Sequence, residues 1–93
     1  MERNYKFYGL TDEQENIARD LYENNKKYSG SYTLEEVDDD MLDAFIENAD
    51  AEGDEEYLGF LTDVVECDAE LYTLTDHLGG FSQPIGEVAI FEI

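Results

Sequence analysis

Carboxylates are the groups this chain offers for chemistry in quantity: 25 Asp and Glu against 5 Lys and Arg, for a formal net charge of −20. Asp39, Asp43, Glu47 and Asp50 recur at i, i+4, i+8 and i+11, a spacing that lines them along one side of a helix. Asp40 sits beside that row. Successive carboxylates stand roughly 6 Å apart, because four residues rise about 1.5 Å each. No Lys or Arg stands four residues away to neutralise any of them. A row of this kind can attract cations or imitate the phosphates of a nucleic acid.

Other constellations are weaker. Asn48, Asp50, Glu52, Gly53, Asp54 and Glu56 imitate positions 1, 3, 5, 6, 7 and 9 of a calcium-binding loop. The twelfth position, which must supply a bidentate Glu, is Gly59, and the normally apolar eighth is Glu55. No metal site is expected there. Cys67 and His77 are the single Cys and the single His. Glu66 and Asp68 flank the thiol, whereas a thiolate nucleophile needs an electropositive setting. The expectation is a small buried Cys67, a surface imidazole at His77, and no catalytic residue. Gly79-Gly80 follows a leucine pattern and reads as a helix end rather than a phosphate loop. No cofactor is implied.

The elements that must position the acids can be read in order. Asn4 to Leu10 is aromatic and strand-like, ending at Gly9. Thr11 with Gln14 forms a capping box, opening a helix to about Asn25 with Ile17, Ala18, Leu21 and Tyr22 as its stripe. Tyr28 to Tyr32 reads as a loop. Leu34, Val37, Met41, Phe45, Ile46 and Ala49 recur every three or four positions, an apolar stripe opposite the acid row. Thr33 with Glu36 could cap that helix, or Asp38 could, with Ser31 to Val37 extended. Glu52-Gly53-Asp54 breaks it. Tyr57, Leu58, Leu61, Val64 and Val65 then mark a third, acidic amphipathic helix. Asp68 to Thr75 fits helix or strand. Phe81 to Gly86 reads as a loop, and Val88 to Ile93 as the clearest strand, covered on both faces.

The expected architecture is α+β, one domain over residues 1–93. A small sheet formed by the N- and C-terminal strands would be covered on one face by two to four acidic amphipathic helices. The lone Cys67 fits a reducing cytoplasm. No run of about 20 apolar residues occurs, so no membrane span is expected.

Charge is uneven along the chain. All five cations, Arg3, Lys6, Arg19, Lys26 and Lys27, lie within the first 27 residues; from Tyr28 onward there are 19 acids and no Lys or Arg. That asymmetry suggests a face directed at a cationic partner. It rules against direct nucleic-acid binding, because the field repels phosphate. Duplex DNA carries one charge per about 1.7 Å of axis. A globule of this length, roughly 30 Å across, therefore matches a DNA segment of about 18 charges.

In size, lone cysteine and acid runs (Glu35-Glu36, Asp38-Asp39-Asp40, Asp54-Glu55-Glu56) the chain resembles the small acidic DNA-mimic inhibitors, mostly phage-encoded. These include anti-restriction and anti-CRISPR proteins, uracil-DNA glycosylase inhibitors and inhibitors of histone-like nucleoid proteins. The resemblance implies an inhibitor without chemistry of its own, competing for the DNA-binding surface of a basic host protein. Asp39, Asp40, Asp43, Glu47, Asp50, Asp54, Glu55 and Glu56 would make the contacts. A homodimer is admitted. The alternative is an immunity- or antitoxin-type inhibitor of a basic nuclease or toxin, docking through specific hot spots, aromatic ones included; Tyr28, Tyr32, Tyr57 and Tyr72 lie among acids and suit an interface, although most of them are expected to roof the small core. A divalent-metal-binding acidic protein and an acidic interaction module unrelated to DNA are further readings. Like-charge neighbours are also expected to raise the pKa of several carboxylates.

Overall fold

Four antiparallel strands place successive side chains on opposite faces of one sheet. In the computed structural model, which describes residues 3–92, they are β1 (Arg3–Tyr8), β2 (Tyr32–Glu36), β3 (Glu70–Asp76) and β4 (Gln83–Glu92), in the order β1-β4-β3-β2. The first and last strands pair over their whole shared length, from Arg3 opposite Glu92 to Tyr8 opposite Glu87. Three helices complete the fold: α1 (Asp12–Glu23), α2 (Asp39–Glu52) and α3 (Glu55–Glu66). The molecule measures 36 × 33 × 24 Å, close to the expected size.

The helices cover both faces of the sheet, not one. Side chains alternate along each strand, and here both sets contribute apolar residues to a core. Tyr5 and Phe7 of β1, Leu34 of β2, Leu74 of β3, and Val88 and Ile90 of β4 pack with Ala18 and Leu21 of α1. On the reverse side Tyr8, Leu71, Ala89 and Phe91 pack with Ala49 of α2 and Phe60, Leu61 and Val64 of α3. The doubly apolar C-terminal strand is thus explained: it lies second in the sheet between two cores.

Local signals set the helix ends. The Thr11–Gln14 capping box is formed, and Gln14 N–H donates to Thr11 Oγ1 at 3.3 Å. Asp38, rather than Thr33, caps α2: its carboxylate accepts from Met41 N–H at 2.8 Å. Gly53 ends that helix with φ +72°, a left-handed conformation that favours glycine. Gly86 is needed for closeness, since a Cβ there would lie 2.5 Å from the Tyr8 carbonyl oxygen.

The structure decides one expectation left open by periodicity and differs from several others. Asp68–Thr75 resolves as strand from Glu70, and β4 starts at Gln83 inside the stretch read as a loop. Gly79 and Gly80 belong to a single 3-10 turn after β3, not to the end of a long helix. Leu34 and Val37 precede α2, so they contribute nothing to its stripe. Val65 is exposed, while Phe60, which the periodicity passed over, is buried.

Candidate functional site

With Leu34 and Val37 removed, the buried side of α2 consists of Leu42, Phe45, Ile46 and Ala49, and Met41 is exposed. At 100° per residue, the centre of that stripe turns toward Leu42 and Ala49. The residues nearest the opposite side are then Asp40 and Ala51, with Ala44 and Glu47 equally close on either side of them. Asp39, Asp43 and Asp50 run along one flank, and Glu47 carries the row round toward the opposite side. All five acids are exposed. The row extends about 17 Å from Asp39 to Asp50, eleven residues at about 1.5 Å each.

The two-residue link Gly53-Asp54 folds α3 back, so the start of α2 lies beside the end of α3. Asp39, Leu42 and Asp43 share a shallow groove of about 180 Å³ with Val64, Val65 and Asp68. Asp68, in a left-handed conformation just past α3, therefore joins the acid row. Sequence spacing gave no sign of it, because the neighbourhood is made by the hairpin. The pseudo-calcium stretch 48–59 is likewise the last turn of α2, the link and the first turn of α3.

Glu55 and Glu56 are exposed in the first turn of α3, where carboxylates also suit the helix N-terminus. Asp54 differs from the other expected contact residues. It is half-buried and caps α3, accepting from Tyr57 N–H at 3.2 Å and from the Tyr8 hydroxyl at 3.4 Å. Its carboxylate is already engaged by the fold. From Asp38 to Glu66 the chain carries twelve acids and no Lys or Arg. Lys6, paired with Asp63, is the cation that reaches this layer among the described residues.

Tyr57 donates its hydroxyl to Glu87, whose carboxyl is pushed above the usual range by burial, while the hydrogen bond pulls the other way. Burial, not repulsion along the helix row, is therefore the cause of the raised carboxyl here. On the α1 side, Lys26 holds Asp20 below the usual range. Burial and the hydrogen bond to Glu70 (2.7 Å) raise Tyr22 to about 12.

The tyrosines divide. Tyr28 is exposed, whereas Tyr32, Tyr57 and Tyr72 are half-buried and pack on the two cores. Cys67 and His77 exchange the environments expected of them. Cys67 is exposed at the C-terminal cap of α3. His77 is half-buried, its Nε2 2.6 Å from Thr33 Oγ1 and its Nδ1 2.9 Å from Ser82 Oγ. These two hydrogen bonds tie His77, just past β3, to β2 and to Ser82 ahead of β4. No described helix is long and apolar enough to cross a membrane. No protein-family model matches the chain, and no curated protein or solved structure is significantly similar to it.

Proposed function

We propose that the protein inhibits a DNA-binding protein by occupying its basic DNA-binding surface with the α2–α3 face. The carrying observation is the exposed row Asp39, Asp43, Glu47 and Asp50, joined by Asp40 and Asp68, on a helix layer that contains no Lys or Arg of its own. Carboxylates fixed on a packed helix cost little further ordering on binding. They can displace counterions from a cationic groove as phosphates do. Glu55 and Glu56 extend the charge past the Gly53 bend. The candidate targets are restriction or CRISPR effectors, histone-like nucleoid proteins and DNA-repair enzymes. The inhibitor contributes no chemistry.

An immunity- or antitoxin-type complex with a basic nuclease or toxin is the second reading. It is favoured by Leu78 and Phe81, 73% and 79% exposed on the turn after β3. Apolar anchors of that kind suit a hot-spot interface.

A pull-down with the intact protein supplies the target, and gel-shift competition at two salt concentrations then separates the readings. Phosphate-like contacts predict an affinity that falls steeply with salt. An interface anchored by Leu78 and Phe81 predicts a shallow dependence and loss of binding on Phe81→Ala. Full competition by the Asp39→Lys/Asp43→Lys/Glu47→Lys variant would make the acid row a merely solvated flank.

A further inference from the structure

An antiparallel strand bonds each neighbour through every second residue, so one bond fixes the pattern across the whole sheet. Val37 N–H donates to the Leu71 carbonyl oxygen at 2.9 Å, which turns the backbone of Leu71, Thr73 and Thr75 toward β2. Glu70 and Tyr72 then bond to Ile90 and Val88, and Glu87, Ala89 and Phe91 bond to Tyr8, Lys6 and Asn4. The N–H and C=O groups of Arg3, Tyr5 and Phe7 are left pointing out of the sheet along the free edge of β1. Among the described residues no other backbone group bonds to them.

At the opposite edge a turn closes the backbone of Tyr32 onto Ser29, by bonds of 3.0 and 3.1 Å. β1 has no such closure. Its register with β4 is unbroken, and it contains no Pro or Gly. Its single Lys, Lys6, folds back to pair with Asp63 and lies 5.9 Å from the centroid of the Phe60 ring. The bulge, the proline and the outward lysine that commonly blunt an edge are therefore missing.

α3 runs beside that edge as a wall. Lys6 meets Asp63 and Tyr8 meets Asp54, so α3 is antiparallel to β1. Glu55, Gly59 and Asp63 stand at i, i+4 and i+8, and with Glu56 they line an open groove of about 430 Å³ along Lys6, Phe7 and Tyr8. Gly59 is exposed in the interior of the helix, where glycine is less stable than alanine. Its backbone is not left-handed, and a Cβ there would meet nothing within 4 Å. Neither conformation nor packing within the fold calls for glycine. A second chain lying close in the groove would.

We infer that an extended segment of a partner protein adds to β1 as a fifth strand, with its backbone on Tyr5 and Phe7 and its flank against Gly59. The antiparallel sense is the more stable one and is that of every other pair in this sheet. Guest side chains beside Tyr5 and Phe7 turn toward α1, next to two half-buried rings, and suit β-branched apolar residues. The one beside Lys6 lies across Gly59 and is uncharged, because Lys6 already neutralises Asp63. The one beside Tyr8 is basic, since it faces Glu55 and Glu56, which form no ion pair among the described residues. The backbone bonds hold the guest, and the two Glu set its register. A second copy of the chain does not suit this edge. Each copy carries −20, and antiparallel pairing of two β1 strands would set their acidic α3 walls face to face.

The inference goes beyond the proposed function and shares with it only Glu55 and Glu56, so the two can be tested apart. The experiment is an NMR titration of the full chain with the blocked peptide Lys-Val-Thr-Val-Thr, whose valines would bond to Phe7 and Tyr5. Two controls carry backbone N-methyl groups, one on both valines and the other on both threonines, whose N–H groups would point away from β1. Binding should be saturable, and amide exchange at Tyr5 and Phe7 should slow about tenfold or more. Methylation of the valines should weaken binding at least about tenfold through the lost bonds, and methylation of the threonines should leave it unchanged. Glu in place of the peptide's Lys should weaken it as well. Gly59→Leu should block the groove, whereas Gly59→Ala should raise the melting temperature of the free protein. Absence of saturable binding, equal binding of the valine-methylated or Glu peptide, unprotected Tyr5 and Phe7 amides, or full affinity in Gly59→Leu would each overturn the inference. So would a lower melting temperature for Gly59→Ala, which would assign the glycine to the fold. The Asp39→Lys/Asp43→Lys/Glu47→Lys chain should still take the peptide. Strand addition without target competition defeats the proposed function alone, and the reverse result defeats the edge alone.

Discussion

The two sides of one sheet treat charge in opposite ways. On the α1 side the cations are consumed locally. Arg3 lies 5.2 Å from the centroid of the Tyr22 ring, Arg19 lies 5.2 and 5.4 Å from those of Tyr5 and Phe7, and Lys26 pairs with Asp20 at 3.0 Å. Tyrosine hydroxyls there donate to Glu23 and Glu70. On the α2–α3 side the carboxylates outnumber any partner the fold provides, with Lys6 and Asp63 forming the ion pair. The contrast follows from topology. The first 27 residues hold every cation, and they form β1 and α1; alternation along β1 turns Arg3 toward α1 and Lys6 alone toward α3. An asymmetry along the chain has become an asymmetry between faces. Self-repulsion restricted to one layer lowers stability, so that layer is where a basic partner gains most.

The largest expected effect breaks the comparison at the level of binding. Lysine at Asp39, Asp43 and Glu47 should weaken competition about 100-fold: three contacts of about 1 kcal/mol each, with a factor of ten for each 1.4 kcal/mol. Asp12→Lys/Glu13→Lys on α1 should change it less than about twofold. Gel-shift competition against the captured target measures both, with circular dichroism confirming the fold. Equal losses from the two faces would remove the functional distinction between them.

Stability should not distinguish the faces. Leu61, in the α2–α3 core, and Leu74, in the α1 core, are both fully buried. Alanine at either position should cost about 2–5 kcal/mol. Since Val88 and Ile90 face one core and Ala89 between them faces the other, each variant should unfold in one transition. Denaturation followed by near- and far-ultraviolet circular dichroism checks this, and separated midpoints would show two independent units.

A smaller effect isolates the cap from the charge. Asp38→Ala should destabilise by about 1 kcal/mol through loss of the bond to Met41 N–H. Asp38→Asn keeps an N-cap acceptor and removes one repelling charge from the acidic layer, so it should cost nothing at low salt. Urea midpoints of the two variants give the answer. A cost for Asn equal to that for Ala would mean that Asp38 acts through its charge.

The pH dependences are smaller still and differ by side. Glu87 has a folded-state pKa above its ordinary 4.5. The native state then holds the proton to higher pH than the unfolded chain does, and stability is lost as pH rises through the folded value. Glu87→Gln, which can still accept from Tyr57, should remove that loss: its melting temperature relative to wild type should rise from pH 4 to pH 8. On the other side, Tyr22 is raised from 10.0 to about 12. Its contribution is present below pH 10 and is lost between pH 10 and 12, a decline that Tyr22→Phe should blunt. Thermal melts across both windows test the pair. A melting difference for Glu87→Gln that is flat with pH would deny the carboxyl its raised pKa.

Local chemistry was legible at many positions. The Thr11–Gln14 box, the Gly53 break, the helical stripe of Ile17, Ala18, Leu21 and Tyr22 and the existence of the terminal strands all depend on neighbours in sequence or on plain alternation. The phase of α2 is obscured in the sequence because Leu34 and Val37 continue a helical period while lying in and just after a strand. Leu34 is apolar because α1 lies over it, a reason no local window contains. The environments of Cys67 and His77 are illegible locally for the same cause. The exposure of a helix cap and the burial of an imidazole between Thr33 and Ser82 are set by what packs from elsewhere.

By itself the sequence determined the kinds of element, most of their ends and the confinement of cations to the first 27 residues, because capping, periodicity and charge counting act over a few residues. The tertiary structure alone decided that the helices divide between two faces, that Asp68 joins Asp39 and Asp43, and that Glu35, Thr73 and Glu87 form one line across three strands. Those neighbourhoods join residues from 14 to 52 positions apart. They exist only through strand register and the return of α3 along α2, and no pattern in the linear chain fixes either.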